Sequence, residues 1–280
     1  AGQLARWLYV KHIENPMLMT DIPAARRALL AERFRQVLTP PERVTESADG
    51  TKKYLFRTQQ GAYIESAYIP DGDRATLCVS SQAGCRMGCK FCATGRQGLQ
   101  HSLTAAEILN QIGSLPERER LTNLVFMGMG EPSHNLDNVL RAAEFLALYG
   151  GFGHKDLVIS TVGDERLFEA LNRMSARPAL AVSLHTTDDA KRRTLLPRGA
   201  KMTVKALTEA AEAWARKTGY PTQYQWTLIQ GVNDGEEEVN RLIELLTGHY
   251  AMVNFIPVNA VDGSVYSRLT ANMLPISYAV

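Results

Sequence analysis

Apolar residues fall at helical spacing near the start of the chain, at Leu4, Trp7 and Leu8. A second helical pattern opens at Ile22-Pro23-Ala24, runs to about Gln36 and is stopped by Pro40-Pro41. Residues 1–40 therefore read as a small helical accessory unit. The period then changes. Tyr54–Arg57 and Ala62–Ile69 flank Gln59-Gln60-Gly61, and the Pro70–Asp73 turn follows, which predicts a β-hairpin extension within 41–73. Beyond it, short apolar runs predict six strands, at Thr76–Ser80, Leu124–Met127, Leu157–Ser160, Leu180–Leu184, Gln223–Ile229 and Met252–Ile256. Helical patterns lie between them, at Thr104–Ile112, Leu136–Leu148, Glu165–Met174, Lys191–Leu195, Val204–Lys217 and Glu236–Leu246. This alternation argues for βαβ units and a parallel sheet. A closed eight-unit barrel takes about 250 residues, and residues 76–280 supply only 205. The expectation is an α/β fold with a partial (β/α)6 barrel over 74–268, followed by an irregular tail over 269–280.

Composition narrows the class without naming a function. The 280 residues are 45% hydrophobic and 21% charged, which excludes a disordered chain. Lys plus Arg (31) nearly balances Asp plus Glu (29), so the net charge of +2 does not by itself indicate a nucleic-acid partner. Local clustering does more. Lys191, Arg192, Arg193, Arg198 and Lys201 place five basic residues within eleven, with no acid among them. They read either as a solvated helix face or as a rim for phosphates, which Arg26-Arg27 would extend. No apolar run approaches the roughly 18 residues of a membrane span, and the chain opens without a signal-peptide pattern. A cytoplasmic protein away from membranes is expected.

The cysteines carry the chemistry. All four, Cys78, Cys85, Cys89 and Cys92, lie in one short stretch, which fits a metal site in a reducing compartment better than a disulfide framework. Cys85, Cys89 and Cys92 form a C-x3-C-x2-C loop directly after the first barrel strand. Three thiolates on one loop can hold three irons of a 4Fe–4S cluster and leave the fourth open to a small molecule. A structural zinc is the alternative, with Cys78 as a fourth ligand inside the strand. Gly128-Met129-Gly130-Glu131-Pro132 ends the second strand. Its glycines permit close backbone approach, and Glu131 can meet an ammonium group. Ser160-Thr161, Ser183-Leu184-His185 and Asn259 end the third, fourth and sixth strands. In parallel sheets these ends form the edge that binds ligands.

These motifs resemble the radical S-adenosylmethionine (SAM) superfamily, through C-x3-C-x2-C with Phe91 before the last cysteine. The wider pattern resembles the RlmN/Cfr family of RNA adenine methyltransferases. Arg74–Cys85, Gly128–Pro132, Ser183–His185, Gly231-Val-Asn-Asp234 and Ile256-Pro-Val-Asn259 carry the likeness, which extends from about Leu4 to Arg268. The resemblance implies a radical-SAM barrel whose 4Fe–4S cluster is held by Cys85, Cys89 and Cys92. It implies SAM bound by Gly130, Glu131, Ser160, Ser183, Leu184, His185 and Asn259. It implies Glu65 as a general base and Cys78 as a thiol that resolves an enzyme–RNA adduct, with a disulfide as the result. It also implies an N-terminal domain that engages RNA. The expected reaction methylates carbon 2 of an adenine in 23S rRNA, with tRNA as a further candidate, by two SAM molecules and an electron donor such as a flavodoxin. Carbon-8 methylation of the Cfr kind and a non-catalytic RNA-binding scaffold are the rival expectations. A monomer is expected. The family's acceptor cysteine near the C-terminus has no counterpart here, since no cysteine follows Cys92. If the chain ends at Val280, SAM binding is expected and RNA methylation is not.

Overall fold

A computed structural model describes residues 2–33, 38–199, 201–259 and 264–268. Helices α1 (Gly2–Tyr9) and α2 (Ala24–Arg33) open the chain. With the turn between them they enclose a small core of Trp7, Leu8, Met19 and Ile22, and the Trp7 indole N–H donates to Asp21. The expected end of the second helix near Gln36 lies outside the described residues. An antiparallel meander follows: β1 (Arg43–Glu46), β2 (Lys52–Arg57), β3 (Tyr63–Asp71) and β4 (Arg74–Cys78). The sequence pattern missed β1 because all four of its residues are exposed and none of the apolar alternation of a half-buried strand is present.

After β4 comes a small separate ribbon, β5 (Gln82–Gly84) paired with β6 (Leu99–Ser102), which brackets the short helix α3 (Ala93–Gln97). Neither strand was predicted, since pieces of three and four residues are too short to show a period. The repeating part then runs α4 (Ala105–Gly113), β7 (Asn123–Phe126), α5 (Leu136–Tyr149), β8 (Leu157–Thr161), α6 (Glu165–Arg173), β9 (Ala179–Ser183), α7 (Asp189–Leu195), α8 (Val204–Thr218), β10 (Thr222–Leu228), α9 (Glu236–Leu246) and β11 (Ala251–Pro257). Local chemistry fixes the helix starts. Thr104 and Glu107 make a reciprocal capping box on α4, and Asp164, Asp188 and Thr203 cap α6, α7 and α8.

One sheet joins the meander to the barrel, in the order β1-β2-β3-β4-β7-β8-β9-β10-β11. From β4 onward every pairing is parallel, so the six expected barrel strands are present in chain order and the α/β class holds. Side chains alternate across this sheet. Leu77, Leu124, Phe126, Ile159, Leu180, Val182 and Trp226 face the helices in the main core. Val125, Met127, Val158, Ala179 and Ala181 face the barrel interior and form a second cluster. The N-terminal helices dock on the outside of the barrel. Tyr9 meets Phe145 of α5 edge-on at 4.9 Å, and Arg118 pairs with Glu14 at 3.2 Å. Among the described residues, no helix is long and apolar enough to cross a membrane.

Candidate functional site

The cysteine loop leaves β5, passes Cys85 and Cys89, and reaches Cys92 at the N-cap of α3. Backbone bonds shape it. Cys85 N–H donates to Gly98 at 3.0 Å, Cys92 N–H to Cys89 at 3.2 Å, and Lys90 N–H to Leu195 at the end of α7 at 3.1 Å. Its shell is apolar, with Met87, Val162, Leu195, Leu196, Ile229 and Val258 packed around Cys85. All four cysteines are free thiols. Burial first, then the charges of Glu131 and Cys92, push Cys85 up to about 11. Burial and the neighbouring Cys92 and Cys85 push Cys89 up as well. Thiols in such a place become thiolates when a cationic centre compensates them. Among the described residues, no three His, Cys, Asp or Glu side chains gather closely enough for a single ion. Each thiolate of a 4Fe–4S cluster takes a different iron. Three thiolates on one loop leave a fourth iron open, the arrangement that the resemblance implies.

The Gly128–Pro132 segment turns at the end of β7 and lies against the link from β4 to β5. Ser81 and Gln82 N–H groups donate to the Met129 carbonyl at 2.8 and 3.1 Å, and Glu131 N–H donates to Gln82 Oε1 at 3.0 Å. A Cβ on Gly130, whose φ is +107°, would stand 2.6 Å from Ser81 Oγ. The glycine is thus demanded by chain packing as well as by any ligand. Glu131 is 4% exposed. It accepts from Thr161 Oγ1 at 2.7 Å, Ser133 N at 3.2 Å and Val162 N at 3.1 Å. Burial raises its pKa against the pull of these bonds. No cation bonds to it among the described residues, which leaves a buried acceptor suited to an ammonium group.

Next along the rim stand the ends of β8, β9 and β10. Ser160 and Ser183 are half-buried, and Leu184 is fully buried with its N–H on the Gln225 carbonyl at 3.1 Å. His185 is buried and adopts φ +62°, a left-handed conformation that costs a non-glycine residue about 1–2 kcal/mol. Its ring meets Phe91 edge-on at 4.8 Å, which couples the cysteine loop to β9. His185 Nδ1 accepts the Thr227 N–H at 3.0 Å. Burial, with Arg192 adding to it, lowers its pKa to about 3, so the ring is neutral with its proton on Nε2.

The Gly231–Asp234 motif explains what holds His185 in place. Asn233 Nδ2 donates to the His185 and Thr227 carbonyls at 2.6 and 2.7 Å, and its Oδ1 accepts the Ile229 N–H at 2.8 Å. The sequence offered the motif without its role. Asn233→Ala strands three buried backbone groups. It is expected to lower stability by about 2–4 kcal/mol, read by urea unfolding. Asn259 lies just past β11 and is exposed; Val258 beside it packs in the cysteine shell.

Glu65 and Cys78 lie on the same side of the sheet, Cys78 level with Val158 and Glu65 two residues nearer the rim. Ala67 pairs with Cys78, Cys78 with Val125, Val125 with Val158 and Val158 with Ala179, one row across the interior face. Glu65 is two residues from Ala67 on β3, and Ser160 and Ser183 share the interior parity of Val158 and Ala181. Glu65, Cys78, Ser160 and Ser183 thus project from one face. Ser80 ties this region to the glycine turn, with its hydroxyl donating to the Glu65 carbonyl at 2.6 Å and accepting the Met129 N–H at 2.9 Å. Burial pushes Cys78 up to about 11. Glu65, which the resemblance implies as a base, is itself exposed and pairs with Lys53 at 3.3 Å.

The basic cluster corrects the sequence reading. Arg192 is fully buried, so it belongs neither to a solvated face nor to a phosphate rim. Lys191 is half-buried against Glu238 at 2.8 Å. Arg193, Arg198 and Lys201 remain exposed, as does Arg26, while Arg27 is held by the Met17 carbonyl at 2.8 Å. Charge in the sequence cannot distinguish these cases, because a buried arginine is set by carbonyls that meet it only in the fold.

Comparisons with known proteins bear on the fold and the family. The Radical SAM superfamily model matches residues 79–245. A probable RNA methyltransferase of Thiobacillus denitrificans is 51% identical over 96% of this chain and 75% of its own length. One of Stutzerimonas stutzeri is 49% identical over 79% of this chain and 64% of its own. The chain thus spans three quarters of the first of these relatives and less than two thirds of the second. A solved structure, a radical SAM methyltransferase from Sphaerobacter thermophilus, superposes with a TM-score of 0.85 at 35% identity, covering 97% of this chain and 82% of that one.

Proposed function

Because the chain belongs to the radical SAM superfamily, we propose that it is the core of an RNA methyltransferase of the RlmN/Cfr type, acting on carbon 2 of an adenine in 23S rRNA, with tRNA as a further substrate. The observation that carries this reading is the shared interior face of Glu65, Cys78, Ser160 and Ser183, reached from the same rim as Glu131 and the cysteine loop.

Cys85, Cys89 and Cys92 would hold a 4Fe–4S cluster, which supplies one electron, drawn from a donor such as a flavodoxin, to cleave bound SAM. Glu131 would take the SAM ammonium, and Ser160, Ser183, the Leu184 backbone, His185 and Asn259 would complete its pocket with Gly130. The apolar shell of Val162, Leu195, Leu196 and Ile229 keeps water from this chemistry. Glu65 would gain the burial a general base needs once an extruded adenine covers it. Exposed Arg193, Arg198 and Lys201 would meet RNA phosphates near the pocket.

The test is anaerobic reconstitution with iron and sulfide, reduction by dithionite and addition of SAM. 5′-Deoxyadenosine is the readout, because it requires only groups this chain contains. The expected result is 5′-deoxyadenosine from the wild type and none from Cys85→Ala. A chain that forms a cluster yet leaves SAM intact would instead support the scaffold reading.

A further inference from the structure

The antiparallel meander buries only one of its faces. Tyr54, Phe56, Ile64 and Tyr68 are packed in the main core. The opposite face carries Arg43, Lys53, Leu55, Arg57, Tyr63 and Glu65, and none of these is buried. Alternation along each strand brings them to one side. The register sets Arg43 beside Leu55, Leu55 beside Glu65, and Arg57 beside Tyr63. This face runs on through Ala67 and Cys78 into the barrel interior, so it is continuous with the proposed adenine site.

Tyr63 is 46% exposed, and no ring or cation stacks on it among the described residues. Arg57, directly opposite, and Arg43 make no ion pair among the described residues. Lys53 meets Glu65 at 3.3 Å, with both side chains about half-exposed. A pair of that kind is weak in water and gives way to a stronger partner. Three cations therefore share this end of the face with one carboxylate. Asp71 and Arg74, at the far end, close on each other at 2.8 Å. A single exposed tyrosine is ordinary. An unoccupied ring beside unpaired guanidinium groups, about 7 Å along the strand from Glu65, has the composition of a surface that stacks a base and holds phosphates. An acidic protein could use the cations, and the ring beside them favours a base.

We propose that the open face of β1, β2 and β3 binds single-stranded RNA next to the target adenine. Tyr63 stacks on a neighbouring base, and Arg43, Lys53 and Arg57 meet phosphates. The inference rests on the adenine methyltransferase reading above and deepens it, since it gives the neighbours of an extruded adenine a place on the protein. It also gives the Lys53–Glu65 pair a purpose. A phosphate that draws Lys53 away leaves Glu65 free to face the adenine.

Fluorescence anisotropy with a short labelled RNA that contains adenine, as a single strand and as a duplex, tests this on the whole chain. Tyr63→Ala is expected to lose about fivefold to a hundredfold in affinity for the single strand, and Tyr63→Phe no more than about twofold. Arg57→Gln is expected to flatten the slope of log affinity against log salt by about 0.7, one phosphate contact on a single strand. Both side chains are exposed, so the variants are expected to fold, which thermal melting checks. A second readout needs no variant: 5-iodouridine placed beside the adenine is expected to crosslink to Tyr63 on irradiation, mapped by mass spectrometry. Wild-type affinity in Tyr63→Ala, or a crosslink that maps elsewhere, overturns the platform. So does a duplex that binds as tightly as the single strand with the same loss in Tyr63→Ala. An equal loss for polyglutamate would make the face a docking site for an acidic protein and overturn it too. RNA binding that ignores Tyr63 sinks the platform alone, whereas a wild type that binds neither RNA sinks the RNA methyltransferase reading with it.

Discussion

With Glu131 in the proposed SAM site, Glu131→Gln is expected to weaken SAM binding by about a hundredfold while leaving the fold about as stable as the wild type. The carboxylate is almost completely enclosed, and burial raises its pKa above the ordinary glutamate value of 4.5. An amide removes that desolvation cost and keeps one oxygen for Thr161 and Ser133. It loses the bond from the Val162 N–H, which it meets with a donor. The two effects offset, and a stability change within about 1 kcal/mol follows. Binding has no such compensation. An amide neither neutralises an ammonium nor accepts fully from it, and a lost charge-assisted bond in a dry pocket lowers affinity by about a hundredfold. Thermal melting and equilibrium dialysis with SAM measure the two halves. The pH dependence has a definite sign. Below pH 4.5 the carboxyl is protonated in both folded and unfolded chains, and the burial cost is absent. As pH rises through the window between 4.5 and the raised folded value, the cost appears, so the wild type loses stability relative to the variant. A variant that melts far below the wild type would mean that Glu131 is kept for the fold.

Gly84→Ala is expected to prevent iron incorporation, whereas Gly98→Ala, one residue before the Leu99 that pairs with Gly84 across the ribbon, should be milder. Both glycines have positive φ, +73° and +72°. The added Cβ at Gly84 would stand 1.8 Å from the Gly98 carbonyl oxygen, the atom that accepts the Cys85 N–H. Backbone on both sides leaves nothing flexible to yield. The bond that starts the cysteine loop must break, at a cost of about 3–5 kcal/mol including the strain of the left-handed conformation. A Cβ at Gly98 meets nothing within 4 Å, so only conformational strain remains, about 1–3 kcal/mol at φ +72° and ψ +173°. Iron and sulfide content after reconstitution, with melting curves for both variants, separates the cases. Equal iron loading in the two variants would show that β5–β6 does not set the cysteine geometry.

The parallel strands were legible because each is a short apolar run between amphipathic helices, and the motifs at their ends followed once the strands were placed. The cysteine loop was legible from spacing alone. What escaped were groups whose role depends on a partner distant in sequence. Gln111 is an ordinary polar residue in an amphipathic helix until its amide bonds the Ser80 backbone at 2.8 and 2.9 Å and the Ser66 hydroxyl at 2.6 Å, locking α4 to the end of β4. Asn135 likewise ties Ser81 to Leu103, 2.8 and 2.7 Å away, and so fixes both ends of the ribbon. Arg192 was misplaced because its neighbours in sequence are charged, while its partners in space are carbonyls from two strands. For Glu65 the structure supplies the position and the face, and shows solvent where the expectation needed cover.

The joined sheet has a consequence for how the chain assembles as it is synthesised. Strands β1 to β4 are contiguous between residues 43 and 78 and pair antiparallel. Such hairpins close within microseconds of becoming available. Each parallel pairing must wait for a whole crossover helix, and the last needs residues beyond 250. The meander is therefore expected to form first and to offer the free edge of β4 as the template on which the remaining strands are laid in order. The thiols follow β4 immediately, so they emerge beside an ordered edge long before the rim that shields them exists. During that interval they are accessible to iron delivery and to oxidants alike, and the time to complete β11 sets how long that exposure lasts.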